Sequence, residues 1–136
     1  SADILNKYKL KVKTFFYQWN SFALSSLASN CDLAIIPLKR NKFILGKPEN
    51  KLILLWKLGL PVFTSYSDAY FLTMKKAKVD MICEDKKDWV NSLLSFSNST
   101  QAHRTKISNN LINFANKNYK KECLIKKWSL LFESIL

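Results

Sequence analysis

Lys47 and Lys51 stand four residues apart around Pro48, Glu49 and Asn50, inside the stretch GKPENKLILLWKLGLPVFTS, residues 46–65. Ammonium groups at that spacing can lie on one side of a helical turn and hold an anion between them. Pro48 suits the first turn of a helix, because its missing N–H would be unpaired there and its φ is preset. The N–H groups of Glu49, Asn50 and Lys51 would then point out of the helix end, where phosphate is the usual guest. Glu49 opposes such a guest unless its carboxylate turns aside, toward a sugar or ribose hydroxyl. The plainer reading is a helix start with two solvated lysines.

No other group of residues offers comparable chemistry. His103 is the single histidine, and no cysteine or carboxylate cluster gives it metal partners, so it reads as a surface residue. Cys31, Cys83 and Cys123 are odd in number, far apart and without a CxxC. They read as buried, reduced thiols of a reducing compartment, not as a disulfide frame or a zinc site. Asp32 reads as a local cap, and Glu84-Asp85 as a solvated turn. Trp56, Trp89 and Trp128 fit apolar stripes and read as core. Trp19 ends an aromatic run, where it could stack on a base or sugar.

An anion site needs a rigid helix and a sheet edge to aim it. VKTFFYQW (12–19), DLAIIPL (32–38), PVFTS (61–65) and VDMICE (79–84) read as strands, the second as one covered on both faces. A polar helix is expected over 3–9. Asn20 or Ser21 can cap a helix through Ala28, a second helix spans roughly 48–58, and Ser67 or Asp68 can cap a third. Three further apolar stripes, from Trp89, from Ile107 and from Leu124, make a helical tail over 87–136. Strands alternating with helices through short loops predict an α/β fold. Its form would be a Rossmann-like doubly wound parallel sheet of about four strands, followed by that tail, in a single domain. Ligands of such sheets sit beyond the carboxyl ends of the strands. There Trp19-Asn20-Ser21, the loop 38–48, Thr64-Ser65-Tyr66-Ser67 and Glu84-Asp85 would converge.

The bulk composition narrows the partners. At 136 residues and 48% hydrophobic, the chain can bury one substantial core. A net charge of +12 favours anionic partners, yet only Arg40 and Arg104 are arginine. Lysine lacks the flat fork that reads phosphates and base edges, which argues against sequence-specific nucleic-acid binding. A small anionic ligand, or the anionic inner face of a membrane meeting Lys117, Lys120, Lys121, Lys126 and Lys127, fits better. Lysines interrupt every apolar run short of a spanning helix, and no signal-peptide core is present at the start, so a cytoplasmic chain is expected.

The stretch CDLAIIPL, then GKPENKLILLWKLGLPVFTS, then AY, resembles the nucleotide-sugar-binding C-terminal domain of GT-B-fold glycosyltransferases. It is most similar to bacterial enzymes of surface-polysaccharide assembly, whose signature runs K-P-x-N-K-L and then G-x-P. The ending YKKECLIKKWSLLFESI (119–135) is similar to that family's closing helices. The resemblance implies a two-domain transferase whose N-terminal domain holds the acceptor, with a nucleotide-diphosphate sugar as donor and no further cofactor. It implies that Gly46, Lys47, Asn50 and Lys51 hold the donor's diphosphate or sugar, with Ser65 and Tyr66 beside them. Many relatives also carry two glutamates at positions that are Leu54 and Gly46 here. Ribose contact would then fall to another residue such as Glu49.

Overall fold

The computed structural model describes residues 11–18, 20–39, 41 and 46–135. Among them run α1 (Ser21–Ala28), β1 (Ala34–Ile36), α2 (Asn50–Lys57), β2 (Val62–Thr64), α3 (Asp68–Ala77), α4 (Lys86–Ser97), α5 (Gln101–Asn118) and α6 (Lys121–Glu133). The fold is α/β. β1 and β2 pair in parallel, Ala34 opposite Val62 and Ile36 opposite Thr64.

The sheet is smaller than the sequence pattern suggests. The segment 79–84 makes one parallel bridge, Ile82 to Thr64, with the backbone of Thr64 held by Met81 O at 3.0 Å and Cys83 N at 2.8 Å. Helix caps take what a longer strand would need. Val79 N–H is spent on Met74 O at the end of α3, and Glu84 N–H on the Asp88 carboxylate at the start of α4. Residues 12–18 form no strand, and Phe15 and Phe16 are more than half exposed. Aromatic runs favour strands where a neighbour and a covering layer receive them, and the described residues supply neither. The expected helix over 3–9 lies outside the described residues. So does Trp19.

β2 is the buried centre, all three of its residues being covered. Phe63 meets Phe96 of α4 edge-on at 5.8 Å, while Val62 and Thr64 alternate to the opposite side. β1, expected to be covered on both faces, leaves Ile35 52% exposed. α2 begins at Asn50, two residues later than Pro48 would start it, with Glu49 as its N-cap. Leu52, Ile53 and Trp56 are buried, and Trp56 lies edge-on to Phe114 of α5 at 5.8 Å. Each fully buried side chain of this kind contributes on the order of 1.5–3 kcal/mol, which anchors α2 between the sheet and α5.

The end of α2 shows why Gly-x-Pro stands there. Leu60 N–H returns to Leu55 O at 3.1 Å and Gly59 N–H to Trp56 O at 3.0 Å, a Schellman closure. Gly59 takes φ +85°, which a side chain would strain, and Pro61 then prevents the helix from resuming. The same closure after α3 places Lys78 at φ 56°, at a cost glycine would spare.

Two expectations about burial change. Of the cysteines only Cys83 is buried, Cys31 being exposed and Cys123 intermediate. Trp128, read as core, is 59% exposed, and α6 as a whole has no buried residue.

Candidate functional site

Parallel strands joined by helices bring the starts of α2, α3 and α4 to the carboxyl edge of the sheet, and these starts are unlike one another. Ser67 caps α3 through Tyr70 N–H, and Asp68 adds negative charge in its first turn. Asp85 caps α4 by accepting from Asp88 N–H at 2.8 Å, while Asp88 accepts in return from Glu84 N–H at 3.1 Å. Both helix dipoles are thus answered by their own side chains. α2 has no side-chain cap and no acid in its first turn. Its N-cap residue, Glu49, accepts the phenol of Tyr119 at 2.9 Å instead.

That contact answers the objection raised by Glu49. The carboxylate is turned from the helix amides toward α5, where Tyr119 follows the last helical residue. Lys57, at the other end of α2, donates to Tyr119 O at 2.9 Å, so one tyrosine ties both ends of the helix. Gly46, Lys47, Asn50 and Lys51 are exposed around the helix start, and Glu49 is half-buried. The structure therefore brings four expected ligand residues to one open corner on the expected rim.

The remaining candidates are placed differently. Ser65 accepts Leu38 N–H at 3.0 Å and so fastens the loop after β1. Tyr66 donates to Asp68 at 2.9 Å and stacks obliquely on Phe71. It lines a cleft of about 480 Å³ with Asp80, Ile82, Glu84 and Asp88, whose carboxylates would repel a diphosphate. Asn20 caps α1 by accepting Phe22 N–H at 2.9 Å. His103 is exposed as expected, beside Asp80 and Ser92 in a second cleft of about 410 Å³. No group of residues suited to a metal ion occurs among the described residues.

No known family matches the chain, and neither a curated protein nor a solved structure matches it. The site therefore stands on its own geometry. The pair Glu49–Tyr119 was not legible in the chain, because the partners are 70 residues apart. The closing stretch from Tyr119 onward was its single trace.

Burial, and then the nearby Glu49 carboxylate, push the Tyr70 phenol above the ordinary tyrosine value. For Tyr119 burial again comes first and Glu49 adds to it, while Thr73 works in the opposite direction. A raised folded value stabilises the fold below the unfolded tyrosine value of about 10, and that contribution is lost as pH rises through the folded value. Thermal melts should therefore show stability falling above about pH 10, with a shallower fall in Tyr119→Phe. An equal slope in the variant would remove Tyr119 from the effect.

Proposed function

We propose that this chain binds a nucleotide-diphosphate sugar, as the donor half of a two-domain glycosyltransferase of surface-glycan assembly. The observation that carries this reading is the start of α2. Among the described residues it alone, of three helices beginning at the carboxyl edge, has no side-chain cap, and Tyr119 holds its N-cap carboxylate aside. The donor's diphosphate would lie on the amides of Asn50, Lys51 and Leu52, with Lys47 and Lys51 offsetting its charge. Catalysis in this reading consists of holding the donor and stabilising the departing diphosphate, while the N-terminal acceptor domain supplies the other wall. Glu49 is left to meet a sugar or ribose hydroxyl and Trp19 and Asn20 to border the nucleoside, while Ser65, which accepts Leu38 N–H, and Tyr66, in the acidic cleft, stand outside the site.

The strand order supports the same reading. β1, β2 and the bridge at Ile82 lie in sequence order across the sheet, as one outer half of a doubly wound sheet does. The Rossmann-like form with about four strands belongs to this proposal, as does a cytoplasmic location.

Titrating the chain with uridine diphosphate, followed by backbone amide NMR, tests it. Shifts are expected at Lys47, Asn50, Lys51 and Leu52, with weak affinity and no sugar transfer by the chain alone. Shifts confined to the acidic cleft, or none, would overturn the reading.

One observation favours a second reading, a degenerate Rossmann-like module that docks on anionic lipid or nucleic acid. Leu54, where relatives of the resembled family carry a glutamate, is an apolar side chain 40% exposed. Unchanged donor KM in a full-length Lys51→Ala enzyme would select it.

A further inference from the structure

The last helix presents a surface that the donor reading leaves unused, and the inference drawn from it rests on the lipid-docking reading. Leu124, Ile125, Trp128, Leu131, Phe132 and Ile135 recur at helical spacing and are 42–71% exposed. No residue of α6 is buried, so the stripe is not the inner face of the described core. Trp128 and Phe132 stack on one another at 6.0 Å within it.

Charge identifies what fits the stripe. Lys127 lies three residues after Leu124 and four before Leu131, at the border of the apolar face. It lines a cleft of about 490 Å³ with Lys76 of α3, Lys117 of α5 and Tyr119, and among the described residues no carboxylate contributes to that lining. Its ammonium sits 5.8 Å from the Tyr119 ring, which holds it at the cleft. Lys120 and Lys121 stand at the start of the helix. An apolar stripe with Trp and Phe, bordered by lysines, matches a helix lying in the interface of an anionic bilayer. No described helix is long and apolar enough to cross one.

We propose that α6 docks the protein on an anionic phospholipid surface. The stripe from Leu124 to Ile135 enters the headgroup–acyl boundary, and Lys76, Lys117 and Lys127 receive lipid phosphates at its flank. A protein partner would not require a cleft of three lysines beside the stripe, whereas a bilayer offers apolar and anionic layers together.

Flotation of the full chain with vesicles tests this. Binding is expected to vesicles of phosphatidylcholine mixed with phosphatidylglycerol and not to phosphatidylcholine alone, and to weaken with added salt. Lys117→Gln with Lys127→Gln should weaken it by about fivefold per lysine. Trp128→Ser with Phe132→Ser should abolish it with the circular dichroism spectrum unchanged, since both side chains are exposed. Trp128→Phe should keep binding but lose the blue shift in tryptophan emission. Equal binding to both vesicle types, or retention in the Trp128→Ser, Phe132→Ser variant, would overturn the proposal. So would a stripe-dependent dimer without vesicle binding, or tighter binding to a single-stranded oligonucleotide than to the vesicles.

Discussion

Trp56→Ala is expected to remove about 3–5 kcal/mol of stability, most of what a domain of this size can spare. Trp56 is fully buried, packs edge-on against Phe114 and belongs to the same cluster as Leu52, Val62 and Leu111. The cavity would open where α2, the sheet and α5 meet, so no single neighbour can close it. One feature lowers the expected loss toward the smaller figure. Trp56 Nε1 has no hydrogen-bond partner among the described residues, and a buried unpaired donor costs about 1–3 kcal/mol, which the alanine variant no longer bears. Urea unfolding checks this: the midpoint should fall with the slope unchanged, and the melting temperature should drop by about 10 °C. Leu54→Ala on the same helix is the control. Leu54 is 40% exposed, and its loss should stay within about 1 kcal/mol. Equal losses in the two variants would mean that α2 is not clamped between two layers.

Asn50→Asp is expected to move stability and ligand affinity in opposite directions. Asn50 is the first residue of α2, exposed, in a turn without an acid. A carboxylate there meets the positive end of the helix dipole and should stabilise the fold by about 0.3–1 kcal/mol. The same charge would stand within about 4 Å of a bound diphosphate, where repulsion between unit charges is about 1 kcal/mol in water and about 4 near a protein surface. Affinity for uridine diphosphate should therefore fall by about fivefold or more while the melting temperature rises slightly. Isothermal titration and a thermal melt on one preparation read both. Affinity unchanged beside a raised melting temperature would show an ordinary helix start, and the donor reading would fail with it. The result leaves the proposal for α6 untouched, because the lipid contact proposed there shares none of these residues.

Much of the fold was legible along the chain because local signals and burial agreed. The cap at Ser67, the Gly59-Leu60-Pro61 closure, and the apolar run of α2 each name their own conformation. Placement of Gly46, Lys47, Asn50 and Lys51 at one open corner follows from the same logic, since a crossover helix after a parallel strand must start at the carboxyl rim. Segments 12–18 and 79–84 were misjudged in extent because a strand is a relation between two segments, and propensity describes only one. In 79–84 the caps of α3 and α4 claimed the backbone groups at either end.

The amino-acid sequence alone determined the alternation of helices with β1 and β2, the stop of α2, and the strong positive charge. Each depends on neighbours within a turn or on simple composition. Only the tertiary structure decided that Glu49 faces Tyr119, that Lys76, Lys117 and Lys127 line one cleft, and that the stripe of α6 is left uncovered. An amphipathic pattern states that a helix has an apolar side; what lies against that side is set by contacts far apart in the chain, which periodicity does not encode.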